Sequence, residues 1–361
     1  MNSWKKFGKK MSKKVKYKLG QAVWETTLRC NFNCLHCGSS AGSPRPDELN
    51  TKESIGLIHD LAELDTKEIC LMGGEPFLRK DWFTLGKEIV DNNIKLHFIS
   101  NGFLINEKKI SKIKTLQPHS LTISLDGSRA KTHDYIRGKP GSHTRIMKAI
   151  KLAHRENIPV TLITTVSKIN MKELPELRDF ILNNNIAWQI QIAMPEGRFK
   201  KNLALTKEEY YAVAVFIADI KKKYSPKELP VIGAHCIGYN SKYLPCLGLY
   251  DKWYGCQAGI SAVGIKSNGD IIGCLAIQHD SYIEDNIRKR SIIDIWNDPK
   301  SFLYNRNFKV EQLGENCKGC KYGETCRGGC IGMSYGLTGK PHNDPYCFYK
   351  IEDEIIKKIG L

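Results

Sequence analysis

Cys30-Asn-Phe-Asn-Cys34-Leu-His-Cys37 is the stretch around which this 361-residue chain is read. It follows Ala22-Val-Trp-Glu-Thr-Thr-Leu28, an apolar run of the kind that forms a buried strand of a parallel sheet. The loop leaving the carboxyl end of that strand holds three thiols in CX3CX2C spacing, within reach of one metal centre. Three is the informative count. A structural zinc site closes with four ligands, whereas a cubane cluster held by three cysteines keeps one iron open to an outside molecule. Phe32 and Leu35 would shield such a cluster, and Gly38-Ser39-Ser40 allows a tight exit. A zinc knuckle completed by His36 or by a distant residue is the alternative reading of the same residues.

The second expected strand, Lys67-Glu-Ile-Cys-Leu71, runs into Met72-Gly73-Gly74-Glu75-Pro76, where two glycines let the main chain approach a ligand closely. Together, the cysteine loop and this GGEP element resemble the signature of the radical S-adenosylmethionine (SAM) enzymes. The resemblance implies that the amino and carboxylate groups of SAM chelate the open iron of a [4Fe-4S] cluster. It also implies that the backbone and glutamate of Gly73, Gly74, Glu75 and Pro76 hold the methionine amino group. One electron from the reduced cluster then splits the sulfonium to a 5'-deoxyadenosyl radical, the cofactor supplying the hard step and the protein its orientation.

From residue 20 to about 195 strand and helix patterns alternate. Strands are expected at Ala22–Leu28, Glu68–Met72, Lys95–Ser100, Ser120–Leu125, Val160–Val166 and Ala187–Ala193, and amphipathic helices at Thr51–Leu64, Trp82–Asn92, Leu104–Thr115, Arg145–Glu156 and Met171–Asn184. Asn50 before the acidic Glu53 is a start signal for the first helix. Six such units predict an α/β protein with a parallel sheet, since parallel neighbours need helical crossovers. The resemblance narrows this to a partial (β/α)6 TIM barrel with ligand groups at the carboxyl ends of the strands. Ser100 and Asn101, Ser124 and Asp126, and Thr165 stand at three such ends. By resemblance, Ser124 and neighbouring polar groups would bind ribose, and Arg137 would grip the SAM carboxylate with its planar guanidinium. Gln189 and Gln191 alternate with apolar neighbours and would face the lumen, lining a substrate cavity or satisfying one another there. A lysine-rich helix over Leu205–Tyr224 closes the barrel side. Pro226, Pro230 and a rise in cysteine density then mark a boundary near 230.

Three of the thirteen cysteines lie at 30 to 37, one at 70 and nine between 236 and 347. In a long chain without a signal-peptide pattern, this points to metal binding in a reducing compartment, and so to a cytoplasmic protein. No apolar run approaches the roughly 18 residues of a membrane span. The net charge of +17 predicts attraction to polyanions. Eight lysines of the first eighteen residues face no acid, a run that reads as a solvated arm, residues 1–19, or as a handle for an acidic leader peptide. The lack of an RRM signature or a basic-aromatic stripe argues against nucleic acid.

Cys256 and Cys274 flank Ile265-Lys-Ser-Asn-Gly269-Asp-Ile271, a hairpin signal that draws the two thiols together. Then follow Cys317-X2-Cys320-X5-Cys326-X3-Cys330 and Cys347. A zinc ribbon is one reading of these CX2C pairs. The whole ladder resembles the SPASM extension of radical SAM enzymes that mostly modify peptides, so that the chain divides into a basic arm (1–19), a radical SAM barrel (20–230) and a SPASM domain (231–361). By that resemblance Cys317, Cys320, Cys326 and Cys347 hold one auxiliary [4Fe-4S] cluster, and Cys256, Cys274 and Cys330 a second, with Cys246 the nearest spare thiol for its fourth position. That makes three clusters. Cys70 reads as a small core hydrophobe. Cys236, near the domain junction, reads as a reactive thiol: a hydrogen-atom donor or a substrate contact.

The resemblance implies an oxidoreductase acting on a ribosomally made precursor peptide, with an electron donor such as flavodoxin or ferredoxin. Auxiliary clusters suit oxidation of a product radical, which favours an intramolecular crosslink over the thiol-quenched epimer. With only the lysine-rich arm ahead of the first strand, leader recognition would use that arm, the barrel rim or a separate leader-binding protein. An anaerobic sulfatase maturase would need an aspartate base directly after the hairpin's second cysteine, where this chain has Leu275, its nearest acid being Asp280. A non-catalytic iron-sulfur electron carrier would have no use for a SAM pocket.

Overall fold

The computed structural model describes residues 17–248 and 252–358, so the expected basic arm lies outside the described residues apart from its last three positions. Strands β1 (Gln21–Thr27), β2 (Glu68–Gly73), β3 (Lys95–Ser100), β4 (Ser120–Ser124), β5 (Val160–Val166) and β6 (Ala187–Ile192) lie side by side in sequence order, every pair parallel. Register aligns Trp24, Leu71, Phe98, Leu121 and Val160 as one lateral apolar row, and all five belong to the main core under the helices. Because side chains alternate across a strand, their neighbours turn the other way, into the barrel. Cys70, in register with Val23 and His97, is on that inner side and buried there.

The helices are α1 (Thr51–Glu63), α2 (Trp82–Asp91), α3 (Glu107–Leu116), α4 (Ala130–Arg137), α5 (Ser142–Arg155), α6 (Leu174–Asn183) and α7 (Lys207–Lys223). The start signal at Asn50 is a reciprocal capping box: its side chain accepts from the Glu53 N–H at 3.0 Å, and Glu53 accepts from the Asn50 N–H at 2.8 Å. Helix α3 begins at Glu107 rather than at Leu104, because Asn106 caps it. Helix α4 was not expected, since its inward face carries His133 and Arg137 beside only one buried aliphatic, Ile136.

Beyond residue 230 the same sheet continues. Strand β7 (Val231–Gly233) adds to β6, while β8 (Ala262–Ile265) adds to β1 and forms the expected hairpin with β9 (Asp270–Ile272), which pairs with β10 (Ile283–Asn286). Gly269, at φ 91°, occupies the left-handed position that the turn requires. The boundary expected at 230 is therefore crossed by the sheet, whose two edges are β7 and β10. Five short helices complete the cysteine-rich part: α8 (Ile292–Asn297), α9 (Leu303–Arg306), α10 (Gly323–Cys326), α11 (Ile331–Thr338) and α12 (Phe348–Lys358). No helix among the described residues is long and apolar enough to cross a membrane.

Candidate metal and cofactor centre

Cys30, Cys34 and Cys37 share the loop between β1 and α1, and each sulfur faces a donor. Asn101 Nδ2 lies 4.0 Å from Cys30 Sγ, Arg137 Nη1 lies 3.8 Å from Cys34 Sγ, and the Ala41 N–H donates to Cys37 Sγ at 3.3 Å. Such donors suit thiolate ligands of an iron-sulfur cluster, whose charge they stabilise. Burial pushes the Cys30 thiol up to about 11, and it raises Cys34 despite the charge of Arg137. The bare Cys30 and Cys34 thiols would thus stay protonated, and coordination to a metal would deprotonate them. Among the described residues no three Cys, His, Asp or Glu side chains are gathered around a single metal ion. His36 Nε2 is 2.7 Å from Asp126 Oδ2, which turns that ring nitrogen to the strand ends rather than to the three sulfurs.

The loop's main chain is clamped from three directions. A Cβ on Gly74 would stand 2.3 Å from the Arg29 carbonyl oxygen, one on Gly138 2.5 Å from that of Asn33, and one on Gly197 2.2 Å from that of Gly38. Arg198, just past the end of β6, donates from its backbone N–H to Cys37 O (3.1 Å), from Nε to Cys34 O (3.0 Å) and from Nη1 to Ala41 O (2.8 Å). Gly73 and Gly74 thus admit the cysteine loop itself, a Cβ on Gly73 falling 2.3 Å from Thr27 O.

The strand-end residues come together and are joined by hydrogen bonds and ion pairs to one another. Glu75 is fully buried and accepts from Ser100 Oγ (2.9 Å), Phe77 N (3.2 Å) and Asn101 N (2.8 Å). Burial nonetheless raises its carboxyl to about 7. These bonds brace the end of β2 against the end of β3. Pro76, also buried, opens the one-turn helix that follows. Ser100 is engaged with Glu75, while Asn101 Nδ2 donates to Asn31 Oδ1 at 2.8 Å.

Asp126 is fully buried and is an internal hub. Its Oδ1 accepts from Thr165 N at 2.8 Å, and Oδ2 lies 2.7 Å from both His36 Nε2 and Arg137 Nε. Burial alone would raise this carboxyl, but the charges of Arg137 and His36 outweigh it and hold it well below the usual carboxylate range. Arg137, expected to clamp a SAM carboxylate, is thus paired with Asp126 beside Cys34. Ser124 is buried at the end of β4, in register with Ile163. Thr165 Oγ1 accepts from Gln191 Nε2 at 2.9 Å. Gln189 and Gln191 point away from the core-facing Trp188, Ile190 and Ile192, and so into the barrel.

Of the auxiliary cysteines, Cys317, Cys320, Cys326 and Cys347 line one partly open cavity together with Tyr239 and Asp344. Four thiols are the donor set expected for a cluster. Burial, with the charge of neighbouring cysteines, pushes Cys317, Cys326 and Cys347 up to about 12. Cys256, Cys274 and Cys330 form a second, half-buried group: the Cys330 thiol is raised by desolvation and then by the charges of Cys256 and Cys274. Cys246 stands apart, lining a surface groove with Lys252 and Tyr254, its carbonyl held by Lys221 Nζ at 3.3 Å. Cys236 Sγ accepts from the Ile192 N–H at 3.4 Å beside the sheet edge. Asp280, the first acid after Cys274 in the sequence, is exposed and lies 3.2 Å from Lys266 Nζ.

Arg198 and Asp344 were missed in the sequence. The signal for Arg198 was its place just after the sixth strand, in Pro195-Glu-Gly-Arg198; Asp344, three residues before Cys347, had none.

Residues 24–181 match the family model of the radical SAM superfamily, and residues 256–321 match that of the SPASM iron-sulfur cluster-binding domain. The chain is 26% identical to AdoMet-dependent heme synthase of Methanosarcina barkeri, over 91% of this chain and 96% of that protein. It is 27% identical to mycofactocin maturase MftC of Mycobacterium ulcerans, over 90% of this chain and 86% of that protein. Among solved structures, Streptococcus suis SuiB bound to its precursor peptide SuiA superimposes with a TM-score of 0.74 at 18% identity, covering 91% of this chain and 75% of SuiB.

Proposed function

The chain belongs to the radical SAM enzymes and carries a SPASM iron-sulfur domain, and from that premise we propose that it oxidises a ribosomally made peptide, forming an intramolecular crosslink. Cys30, Cys34 and Cys37 would hold the SAM-binding cluster, and the SPASM cysteines two auxiliary clusters, three in all. Bound SAM and that cluster supply homolytic hydrogen abstraction from the substrate. The chain's own residues hold the cluster loop rigid through Arg198 and the three clamping glycines, keep Cys34 beside the Arg137 charge, and bring neutral hydrogen-bonding groups to the lumen.

The observation that carries the peptide reading is the lumen's chemistry. Gln189, Gln191 and Thr165 offer amide and hydroxyl groups, which suit peptide amides. Cations at the site are already paired internally: Arg137 with Asp126, Arg198 with loop carbonyls, Lys266 with Asp280 and Arg45 with Glu25. The relatives named heme synthase favour a second reading, in which the substrate is an iron tetrapyrrole. A porphyrin bearing several carboxylates calls for unpaired cations facing it, and these four are engaged within the chain. The pairing of Asp280 also weighs against a sulfatase maturase. An electron donor of the flavodoxin or ferredoxin class would reduce the clusters, and leader recognition would fall to the arm, the barrel rim or a separate protein.

The test is anaerobic reconstitution with strong reductant. About twelve irons per chain, release of 5'-deoxyadenosine abolished by Cys34→Ala, and loss of two hydrogens from a co-expressed peptide encoded beside the gene are expected. Turnover of an iron porphyrin with no change in any peptide would overturn the peptide reading. An unchanged peptide mass with solvent deuterium incorporated would replace crosslinking by epimerisation.

A further inference from the structure

Cys236 follows β7 at one edge of the sheet, and Cys274 follows β9, which is joined through β8 to β1 on the other side of the barrel's opening. Packing brings these two sides together at the auxiliary cysteines. The Trp253 ring, three residues before Cys256, lies 6.2 Å from the His235 ring and 4.8 Å from the Tyr239 ring, so aromatic residues on both sides of Cys236 pack against it. Trp253 Nε1 donates to Cys326 O at 3.2 Å. The Tyr239 hydroxyl donates to Asp344 Oδ2, and a Cβ on Gly329, next to Cys330, would stand 2.7 Å from the Tyr239 ring. The loop carrying Cys236 is thus seated directly on the segments carrying Cys256 and Cys330.

We propose that Cys236 is the fourth thiolate of the auxiliary centre formed by Cys256, Cys274 and Cys330, in place of Cys246. Two observations beyond that packing support the assignment. The Ile192 N–H donates to Cys236 Sγ at 3.4 Å, as to a ligand thiolate. Cys246 lines a groove that includes none of these three cysteines. Four thiolates would close this cluster to outside ligands, so that it exchanges electrons without binding substrate, and Cys236 is then no hydrogen-atom donor. The assignment rests on the three-cluster reading above.

The experiment compares anaerobically reconstituted full-length wild type, Cys236→Ala, Cys236→Ser and Cys246→Ala by iron content and by EPR of the reduced clusters. Wild type and Cys246→Ala should hold about twelve irons; Cys236→Ala should lose about one to four of them. Cys236→Ser should keep most of the iron with an altered EPR spectrum and reduction potential, because an oxygen ligand replaces sulfur while the fold is preserved. In the wild-type holoprotein, Cys236 should resist alkylation until a chelator strips the iron, whereas Cys246 should label throughout. Unchanged iron and spectra in both Cys236 variants, or iron loss in Cys246→Ala, overturns the assignment. A wild type with only about four irons overturns the three-cluster reading and the assignment together.

Discussion

Arg137 Nε stands 2.7 Å from Asp126 Oδ2, both side chains buried, with Cys34 Sγ 3.8 Å from the same guanidinium. One cation thus neutralises the hub of the strand ends and faces a cluster ligand. Breaking a buried pair from one side costs about 3–5 kcal/mol, because the remaining charge is left uncompensated. Arg137→Met should lower unfolding stability by that order in urea titration, and Arg137→Met/Asp126→Asn should recover much of the loss. A single-variant cost under about 1 kcal/mol would mean that water or His36 compensates Asp126.

The same carboxylate gives stability a pH dependence of known sign. Its folded pKa is depressed, so its contribution is fully present above the unfolded value near about 4 and is lost as pH falls from there toward the lower folded value. Urea midpoints of wild type should fall between about pH 4 and 3 more steeply than those of Asp126→Asn. Parallel curves would remove Asp126 from the acid sensitivity of the fold.

Gly74→Ala tests whether the glycines serve the cysteine loop. The added methyl would meet the Arg29 carbonyl at 2.3 Å, backbone against backbone, and the loop must shift. About four irons should be lost and SAM cleavage with them, while the auxiliary clusters stay. Gly56→Ala on α1, where the methyl meets nothing within 4 Å, is the control and should keep all the iron. Full iron in Gly74→Ala would show that the loop adapts.

The strands were legible in the sequence because buried parallel strands are continuous apolar runs: Lys95–Ser100 and Val160–Val166 have the expected bounds. The CX3CX2C loop and the hairpin between Cys256 and Cys274 were legible because cysteine spacing and Asn-Gly are local signals. What is decided by tertiary contact was not. Glu75 and Asp126 fell at the right strand ends, yet their partners, Ser100 and Asn101 for one and Arg137 and His36 for the other, come from distant segments. Helix α4 hid because its buried face is polar. Proximity in sequence favoured Cys246 as a spare thiol, whereas the packing of Tyr239, three residues after Cys236, on Gly329 is a contact between distant segments that no local signal records.

Asp344 links the two auxiliary groups. Its carboxyl accepts from the Cys330 N–H, from Tyr346 N at 2.8 Å and from the Tyr239 hydroxyl, and its carbonyl lies 3.8 Å from Cys317 Sγ. Asp344→Leu should therefore reduce iron from about twelve to about four per chain while leaving SAM binding, followed by calorimetry, within about twofold. Tyr239→Phe removes one of these bonds and should cost about 1 kcal/mol of stability without loss of iron. Retention of both auxiliary clusters in Asp344→Leu would reduce Asp344 to a local turn residue.

Gln191 offers the sharpest test of the lumen's part in the proposed reaction. Its amide donates to Thr165 Oγ1 at 2.9 Å, so its orientation is fixed before substrate arrives, and its carbonyl oxygen is the acceptor it would offer. A peptide N–H held there would fix the distance between the abstracted hydrogen and SAM. Losing such a bond costs about 1 kcal/mol, or roughly fivefold in productive binding. Gln191→Leu should then keep cluster content and SAM cleavage, while the ratio of 5'-deoxyadenosine released to peptide modified rises about fivefold. Because misplacement raises uncoupled cleavage and a folding defect lowers both products, the ratio separates the two. A ratio equal to wild type would place the peptide elsewhere in the barrel.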